Sequence, residues 1–347
     1  LMNVQLETLL HKQWDKRGII SWLLLPASAV FMWASSRRRK NAKVTNVGVP
    51  VVVVGNIYVG GTGKTPVTIS LVRALRERGW NPGVISRGYK GAADAPVEVE
   101  ENSNPDIVGD EPLLIKKSTG APTFVCKKRV DAAKSLLAKY PLVNVLISDD
   151  GLQHYELGRD VELAVIGARG LGNGWVLPAG PLRERPARLD EVDAIVLNAT
   201  EDVVTSSTPR YAATSGFSDA INYASGEKIT LDTLARMQAK KQLKADAMAG
   251  IAVPDRFFSM LRAHDLEINP IPLPDHYSFT KNPFAESKAD LIFITEKDAV
   301  KCRKHPEIKN DERIYVVPLE TQLDKFLVDF IEKKITAASE RYKTNNH

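Results

Sequence analysis

The sequence predicts an α/β protein with a doubly wound, mostly parallel sheet and a second, smaller α/β domain. Three observations support this prediction. Short apolar strands alternate with amphipathic helices from Val44 onward, a glycine-rich turn separates the first strand from the first helix, and the alternation resumes after a stretch rich in Ser, Thr and Gly. Parallel strands need crossover helices, and such folds bind ligands at the carboxyl ends of their strands.

The length and composition describe an ordinary globular protein. The chain has 347 residues, of which 44% are hydrophobic and 26% charged, and its formal net charge is +5. This length is enough for about two domains. Cys126 and Cys302 lie far apart and show no metal-ligand spacing. Both are therefore predicted to be buried thiols of a protein from a reducing compartment.

Apolar runs and helical periodicity place the elements in order. The predicted strands of the large sheet cover residues 49–56, 81–89, 122–127, 142–150, 161–168 and 193–198. The predicted helices among them cover residues 64–78, 110–117 and 129–139. A second series of α/β elements is predicted within residues 245–320, followed by a closing helix over 323–334.

The N-terminal segment combines an apolar run with flanking positive charge. Residues 19–34, IISWLLLPASAVFMWA, are apolar apart from two serines, and a basic cluster follows at residues 37–40. As a helix this run is about 24 Å long, short of the roughly 30 Å hydrocarbon core of a bilayer. One interpretation is a buried helix capped by solvated arginines. The favoured interpretation is a helix on an anionic membrane surface with Trp22, Phe31 and Trp33 inserted.

The stretch GNIYVGGTGKTP, residues 55–66, follows the first strand and opens the first helix. It matches the phosphate-loop pattern G-x-x-x-x-G-K-[ST], except that Tyr58 replaces the first glycine. In such a loop, backbone amides turn toward the phosphates, Lys64 can reach the outer phosphates and Thr65 can bind Mg²⁺. The sequence therefore predicts a P-loop NTPase-like fold with these nucleotide-binding residues: Tyr58, Val59, Gly60, Gly61, Thr62, Gly63, Lys64 and Thr65.

Two adjacent carboxylates are predicted to form the second half of this site. Asp149 and Asp150 leave the buried strand 142–150 together, which structural needs alone explain poorly. One of them can belong to the coordination shell of Mg²⁺, and the other can orient a water or a substrate group. Gln153 and His154 follow on the same loop.

Three further clusters are weaker on their own. Asp110 and Glu111 begin a predicted helix, where helix capping by Asp110 is an equally good explanation. Arg183 and Glu184 lie on a loop with prolines and a glycine, and His276 follows a Pro-Asp pair in the smaller domain. Loops of this kind can present polar groups to a ligand.

The predicted organisation has four parts. They are a membrane-associating helical segment (1–43), a P-loop nucleotide-binding domain (44–200), a smaller α/β domain with a hinge (201–318), and a C-terminal helix and tail (319–347). The hinge is placed in residues 199–230 because they show little periodicity. A ligand cleft is expected between the two domains, and the tail from about Thr336 is expected to be frayed.

Eight motifs occur in an order that resembles a known family. They are GNIYVGGTGKTP, SRGY, GDEP, DDGLQH, PLRE, AGIAVPDRFF, PDHYSF and TEKDAVK. Together they are similar to the tetraacyldisaccharide 4'-kinases, bacterial enzymes of lipid A biosynthesis, over nearly the whole chain. That family also lacks the first loop glycine, so Tyr58 belongs to the family pattern.

The resemblance implies a kinase that uses ATP and Mg²⁺ to phosphorylate the 4'-hydroxyl of tetraacyldisaccharide 1-phosphate, giving lipid IVA. It implies a peripheral protein on the cytoplasmic face of the bacterial inner membrane, which meets a lipid A disaccharide precursor and no nucleic acid. It also implies that Lys64 is catalytic and that Asp110 and His276 form an acid–base dyad near the acceptor hydroxyl.

The remaining site residues implied by the resemblance fall into two groups. The candidate metal ligands are Thr65, Glu111, Asp150 and Glu184. The candidate substrate-binding residues are Asn56, Arg87, Tyr89, Asp149, Gln153, His154 and Arg183. The TEKDAVK motif, residues 295–301, matches the family without a firm role.

Two other classes of protein were compared with this prediction. A P-loop GTPase of the metallochaperone type usually carries an N-K-x-D-like guanine signature after a strand, and VLNATED lacks its lysine and its correctly spaced aspartate. A nucleic-acid-dependent ATPase would need a broader basic surface than one N-terminal cluster.

Overall fold

The structure is a computed structural model that describes residues 14, 16–88, 94–198, 204–251, 253–274, 277–302 and 306–344. Two compact units are present. The first contains the described residues up to Thr214 together with those from Gln322 onward, and the second is Ser215–Thr321. The chain therefore enters the smaller unit once and returns to the larger one.

The regular elements are these. The strands are β1 (Val51–Gly55), β2 (Pro82–Ser86), β3 (Val97–Glu98), β4 (Thr123–Val125), β5 (Val145–Asp149), β6 (Val161–Gly167), β7 (Ala194–Asn198), β8 (Arg210–Gly216), β9 (Asp219–Asn222), β10 (Lys228–Thr230), β11 (Ala245–Ala249), β12 (Asn269–Pro272), β13 (Leu291–Thr295), β14 (Ile314–Val317) and β15 (Glu320–Leu323). The α-helices are α1 (Ile19–Leu23), α2 (Leu25–Lys40), α3 (Lys64–Glu77), α4 (Pro105–Val108), α5 (Asp110–Thr119), α6 (Arg129–Lys139), α7 (Leu231–Lys241), α8 (Pro254–Arg262), α9 (Glu296–Cys302), α10 (Pro306–Lys309) and α11 (Lys325–Thr344).

The larger unit is built on a nine-stranded sheet in the order β15-β8-β7-β6-β1-β5-β2-β4-β3. The pairings from β8 through β4 are parallel, and β3 joins β4 antiparallel. Strand β1 lies between β5 and β6, so the strand order reverses there and its carboxyl end is the expected ligand position. All five residues of β1 are buried, as expected for a parallel strand covered on both faces.

Helix α3 follows β1 and packs against β1, β2 and β5. Its buried apolar residues include Val67, Leu71 and Leu75 at a spacing of four, which form one face of the helix. Burying these side chains contributes roughly 1.5–3 kcal/mol each, so the start of α3 is held firmly beside the end of β1.

The smaller unit has its own six-stranded sheet in the order β10-β9-β14-β13-β11-β12. Strands β12, β11, β13 and β14 are parallel neighbours, and β9 pairs antiparallel with both β14 and β10. The carboxyl ends of β11 and β13 therefore lie side by side, where the AGIAVP stretch follows β11 and the TEKDAVK motif passes from β13 into α9.

The termini and the hinge segment differ from the sequence-based expectations. The apolar run 19–34 forms two helices instead of one, because Pro26 cannot continue the hydrogen-bond ladder and starts a new helix at its first turn. The C-terminal helix extends to Thr344, and a salt bridge of 3.0 Å joins Arg341 to Asp160, so the tail expected to fray from Thr336 is helical.

Residues 204–230 contain three short strands where the sequence showed little periodicity. Strand β8 pairs with β7, so this segment extends the large sheet before the chain reaches the smaller unit. The smaller unit accordingly begins at Ser215, later than the boundary expected after residue 200.

Candidate active site

The loop between β1 and α3 depends on glycine at its second corner. Gly63 adopts φ 87° and Gly60 adopts φ 116°, both in the region that favours glycine. A Cβ atom at Gly63 would collide with Nδ2 of Asn198 at the end of β7. Gly63 is also the N-cap of α3, so the amides at the start of this helix face the end of the loop. A helix N-terminus approached by a glycine loop is a phosphate-binding geometry.

The first corner of the loop has no need of glycine, because Tyr58 lies in extended backbone. Tyr58 pairs with Leu182 in an antiparallel bridge. Val59 donates its amide to Pro181 O at 2.8 Å, and Arg183 donates its amide to Ile57 O at 2.6 Å. The tyrosine is 3% exposed and belongs to the hydrophobic core. This half of the loop is thus a short strand pair, and residues 181–185, the PLRER segment, hold it in place.

Asn56 braces the loop from inside. Its side chain is fully buried, and Nδ2 donates to Thr62 Oγ1 at 3.0 Å and to Gly60 O at 3.4 Å. From the other side, Asn198 Nδ2 donates to Thr62 O at 3.1 Å. The contacts of Asn56 are those of a loop-positioning residue, whereas the family resemblance implied a substrate-binding role.

Asp150 connects the loop lysine to the PLRER segment. Lys64 Nζ lies 3.6 Å from Asp150 Oδ1, and Arg183 Nη1 lies 3.1 Å from Oδ1 and 3.2 Å from Oδ2. Burial opposes ionisation of Asp150, but the charges of Lys64 and Arg183 outweigh it and lower its pKa to about 2. Asp150 adopts φ 48°, an uncommon backbone for a non-glycine residue that functional sites often contain.

Asp149 lies in a different environment from its neighbour. It is buried, and Thr68 on α3 donates a hydrogen bond to its Oδ1 at 2.8 Å. Its Oδ2 finds no hydrogen-bond partner within the described part of the chain. Burial, together with the negative charges of Glu111 and Asp150, raises the pKa of Asp149 to about 7. A buried carboxylate oxygen without a partner beside other carboxylates is suited to a cation.

The oxygen donors at this edge of the sheet fit Mg²⁺. Thr65 is buried in the first turn of α3, and Glu111 and Asp150 are close enough to Asp149 for their charges to raise its pKa. Across the ranges that the structure describes, no cluster of three or more His, Cys, Asp or Glu residues is arranged to hold a metal by itself. Magnesium in a P-loop site takes only one or two protein oxygens and completes its shell with phosphates and waters.

Glu184 is already engaged by protein groups. Its Oε1 accepts from Gln153 Nε2 and its Oε2 from Tyr155 OH, both at 2.8 Å, and Arg188 Nε lies 3.5 Å from Oε2. Gln153 also donates to Asn56 O at 3.0 Å, so the network reaches the start of the phosphate loop. This geometry favours a positioning role for Glu184 over the metal contact that the resemblance implied.

A cationic cavity of about 610 Å³ opens beside Asp150. Its walls come from five separate segments of the larger unit, including α2 and the start of α6. Two carboxylates, Asp150 and Glu156, face six cationic side chains: Arg38, Arg87, Lys127, Lys128, Arg129 and Arg183. Gln153, His154 and Phe31 also line it. The excess of positive charge suits an anionic ligand.

Two cavity residues have strongly shifted pKa values. Burial, together with the charges of Arg129 and Arg87, lowers the pKa of His154 to about 3. His154 is therefore neutral at physiological pH. Burial lowers the pKa of Arg129 to about 10, and its Nη1 and Nη2 donate to the carbonyls of Cys126 and Asp149 while Nε has no partner among the described residues.

The other predicted site residues have mixed outcomes. Gly109 with φ 93° is the N-cap of α5, so Asp110 is the first residue inside the helix and is not its capping residue. Tyr89 and His276 lie outside the described residues. Sequence reasoning missed Thr68, Arg129 and Asn198, because their roles depend on contacts between distant segments and no local pattern marks them.

The N-terminal helices are apolar on the outside. Ser21 and Ser28 are buried, and Ser28 Oγ donates to Val176 O at 2.8 Å and accepts from Ala179 N at 3.0 Å. The large apolar side chains are exposed instead: Ile19, Ile20, Trp22, Leu23, Val30, Phe31 and Trp33. No helix in the described ranges is both long enough and apolar enough to cross a bilayer.

The fold and the loop define a P-loop nucleotide-binding protein of the kinase class. The sequence also matches the family described as "Tetraacyldisaccharide-1-P 4'-kinase" over residues 20–336. The chain belongs to this family. The predictions of fold class, family and enzyme class are confirmed.

Individual relatives agree over nearly the whole length. The chain is 46% identical over 346 residues to the tetraacyldisaccharide 4'-kinase of Janthinobacterium sp. (strain Marseille), covering 98% of this chain and 99% of that protein. It is 43% identical over 353 residues to the same enzyme of Herminiimonas arsenicoxydans, covering 98% of each. The "apo" form LpxK from Aquifex aeolicus in complex with ATP superposes with a TM-score of 0.76 at 25% identity, covering 91% of this chain and 100% of that one. The metallochaperone-type GTPase finds no support among these relatives.

Proposed function

We propose that this kinase transfers the γ-phosphoryl group of ATP to the 4'-hydroxyl of tetraacyldisaccharide 1-phosphate, at the junction between the phosphate loop and the cationic cavity. The single observation that carries the proposal is the position of Asp150. It contacts Lys64 of the loop and Arg183 of the PLRER segment, and it lines the cavity. The proposed ATP site and the proposed acceptor site therefore have Asp150 in common.

On the donor side, the loop amides and Lys64 bind the β- and γ-phosphates of ATP. Lys64 and Arg183 neutralise the charge that spreads over the transferring group, and Asp150 keeps both cations in place. Mg²⁺ would be held by Thr65 and by the carboxylates Asp149, Asp150 and Glu111, where it would neutralise phosphate charge. The unpartnered Oδ2 of Asp149 supports this assignment.

On the acceptor side, the cavity takes the phosphorylated sugar head group. Its six cations outnumber its two carboxylates, and Arg129 holds an Nε–H without a partner in the described part of the chain. Arg87, Gln153, His154 and Arg183 line this cavity, as their predicted substrate-binding role requires. Neutral His154 can donate one hydrogen bond and accept another, which suits a sugar hydroxyl.

The acceptor hydroxyl must lose its proton during transfer. Asp110 is proposed to accept that proton, and His276 to pair with it as the dyad that the resemblance implies. An aspartate commonly serves as this acceptor in kinases, and a histidine can tune its proton affinity. Asp110 is the first residue inside α5 and is followed by Glu111.

The location proposed for this enzyme is the cytoplasmic face of the bacterial inner membrane, as a peripheral protein. The exposed apolar side chains of α1 and α2 would enter the lipid interface, and the basic residues 37–40 would meet anionic head groups. Phe31 and Arg38 on α2 also line the cavity. The same helix would therefore contact both the acyl chains and the head group of the lipid substrate. No nucleic-acid partner is proposed.

Arg87→Ala tests the acceptor site. The variant is expected to raise the KM for the lipid substrate at least tenfold and to leave the KM for ATP unchanged. The effect should shrink with a substrate analogue that lacks the 1-phosphate. Arg73→Ala is the matched control, because Arg73 is exposed on α3 and donates to Ser118 O at 2.9 Å. A change in the KM for ATP alone would contradict the assignment of the cavity.

A further inference from the structure

Tyr155 lies between the cationic cavity and a largely buried carboxylate of the larger unit. Its side chain is half-buried and lines the cavity, and its hydroxyl donates to Glu184 Oε2 at 2.8 Å. The guanidinium carbons of Arg39 on α2 and of Arg159 lie 5.5 Å and 5.8 Å from the centroid of its ring. Cations at these distances are attracted to an aromatic face. The ring and the hydroxyl of Tyr155 are therefore both held in place.

Glu184 receives contacts on both of its carboxylate oxygens. Oε1 accepts from Gln153 Nε2 at 2.8 Å, whereas Oε2 accepts from the Tyr155 hydroxyl and lies 3.5 Å from Arg188 Nε. Arg188 also forms a salt bridge of 2.5 Å with Glu162 through Nη2. The hydroxyl of Tyr155 is thus the shorter of the two contacts that keep Oε2 in place and Oε1 directed at Gln153.

The orientation of the Gln153 amide follows from the chemistry of its neighbours. Nε2 donates to Glu184 Oε1 and, at 3.0 Å, to Asn56 O, while Oε1 accepts from Arg183 Nη1 at 3.4 Å. A carboxylate and a carbonyl only accept, and a guanidinium only donates. The reversed amide would place an oxygen against two acceptors and an NH₂ group against a cation, leaving all of them unmatched.

Arg183 depends on this orientation for its second acceptor. Its Nη1 lies 3.1 Å and 3.2 Å from the two carboxylate oxygens of Asp150, and Gln153 Oε1 is the further acceptor at the same nitrogen. A guanidinium carries five N–H donors in a rigid fork, so fixing one nitrogen also fixes the direction of the others. The contacts therefore form a chain from Tyr155 through Glu184 and Gln153 to Arg183.

We propose that Tyr155 is a positioning residue that acts through this chain: it holds Glu184, Glu184 fixes the Gln153 amide, and Gln153 keeps Arg183 directed at the transferring phosphoryl group. The inference rests on the proposed function only for the role of Arg183. It assigns Glu184 to the orientation of Gln153 and not to the metal, and it therefore predicts an unchanged requirement for Mg²⁺.

Tyr155→Phe tests the proposal, because it removes one hydroxyl and keeps the ring. The first readout is solvent exchange of the Gln153 side-chain amide protons, measured by NMR on the full-length protein with isotope-labelled glutamine, which requires no activity. We expect faster exchange in Tyr155→Phe. The internal reference is Gln238 of the smaller unit, whose Nε2 donates to Leu243 O at 3.2 Å and to Glu267 O at 2.7 Å. Unchanged exchange of the Gln153 amide would overturn the proposal.

The second readout is steady-state kinetics. Tyr155→Phe should lower kcat at least threefold, leave the KM for ATP and the Mg²⁺ concentration for half-maximal rate unchanged, and have little further effect in Gln153→Ala, because the two residues act as a unit. Tyr342→Phe is the matched control, since the Tyr342 hydroxyl donates to Asp160 Oδ2 at 3.3 Å on α11. An equal loss of kcat in Tyr342→Phe would contradict a specific role for Tyr155.

Three further kinetic results would also overturn the proposal. A raised Mg²⁺ requirement in Tyr155→Phe would make Glu184 a metal ligand. A raised KM for the lipid with unchanged kcat would make Tyr155 a substrate contact. A loss that multiplies fully in Gln153→Ala would place Tyr155 outside the chain. If the unaltered protein does not phosphorylate tetraacyldisaccharide 1-phosphate, the proposed function fails, and the NMR result still decides whether Tyr155 holds the Gln153 amide.

Discussion

Tyr58 and Leu182 form an antiparallel bridge that joins the phosphate loop to the segment carrying Arg183. The two flanking hydrogen bonds, from Val59 to Pro181 and from Arg183 to Ile57, extend this pairing on both sides. Arg183 then reaches Asp150, which lies beside Lys64. The residue that breaks the usual loop pattern is therefore part of the connection between the nucleotide side and the cavity side of the site.

Restoring the usual glycine at this position is expected to damage the protein. Tyr58→Gly removes a buried aromatic side chain and should lower the free energy of unfolding by roughly 3–5 kcal/mol. We expect no gain in ATP affinity, because the backbone there is extended and needs no glycine. Chemical denaturation and nucleotide titration measure the two effects, with Tyr58→Phe as a control of similar volume. A stable Tyr58→Gly protein with tighter ATP binding would show this account of the loop to be wrong.

The low pKa of His154 predicts a specific pH dependence of stability. Its pKa is about 3 in the folded protein and about 6.5 in the unfolded chain. The folded state therefore binds fewer protons, and the stability contributed by neutral His154 is present above pH 6.5 and is lost as the pH falls toward 3. The slope is at most about 1.4 kcal/mol per pH unit.

His154→Gln should remove this dependence. As the pH is lowered from 6.5 to 4, the free energy of unfolding of the His154→Gln protein is expected to fall less steeply than that of the unaltered protein. Nitrogen NMR of labelled histidine should also show the His154 ring neutral down to pH 5. An imidazole that titrates near pH 6.5 would contradict the buried, arginine-flanked environment described for it.

The exposed apolar face of α1 and α2 predicts reversible binding to anionic membranes. Trp33 is 63% exposed, and Trp33→Ser should weaken binding to anionic vesicles, as should high salt, because each nearby basic residue contributes about 1 kcal/mol at low salt. Phe326→Ser is the control, since Phe326 is 72% exposed on α11. Co-sedimentation with vesicles measures binding. Equal losses from the two substitutions would argue against a specific membrane face.

The proposed dyad predicts non-additive kinetics. Asp110→Ala and His276→Ala should each reduce turnover strongly and change ATP affinity little. The double variant should be scarcely worse than the more damaged single variant, because residues that act as a unit lose their contribution once. Steady-state kinetics with both substrates checks this. Two losses that multiply independently would leave Asp110 and His276 with separate roles.

The sequence was sufficient for the parts of the fold with strong local signals. Continuous apolar runs identified the six central strands, and helix α6 spans Arg129–Lys139 as predicted. The phosphate loop and the paired aspartates were also predictable, because glycine, lysine and carboxylates occur there in a pattern tied to the end of a strand. These features depend mainly on neighbours close in the sequence.

Other parts depend on partners far away in the chain. Strand β8 has a single buried residue, Ala213, among exposed and half-buried positions, and it is recognisable only through its pairing with β7. The role of Asn56 depends on Thr62 and that of Asp149 on Thr68. The cavity collects its cations from separate segments, and the buried Ser28 of α2 becomes explicable only through its bonds to residues 176 and 179.

The central claim is that Lys64 drives phosphoryl transfer from ATP to the lipid head group. The most direct measurement is transfer of labelled γ-phosphate to tetraacyldisaccharide 1-phosphate by Lys64→Ala, with Lys134→Ala, an exposed position on α6, as the control. We predict that Lys64→Ala folds normally and loses at least about 10²–10³-fold in kcat, as expected when a charge-stabilising donor is removed. Near-normal transfer by a folded Lys64→Ala protein would contradict the account.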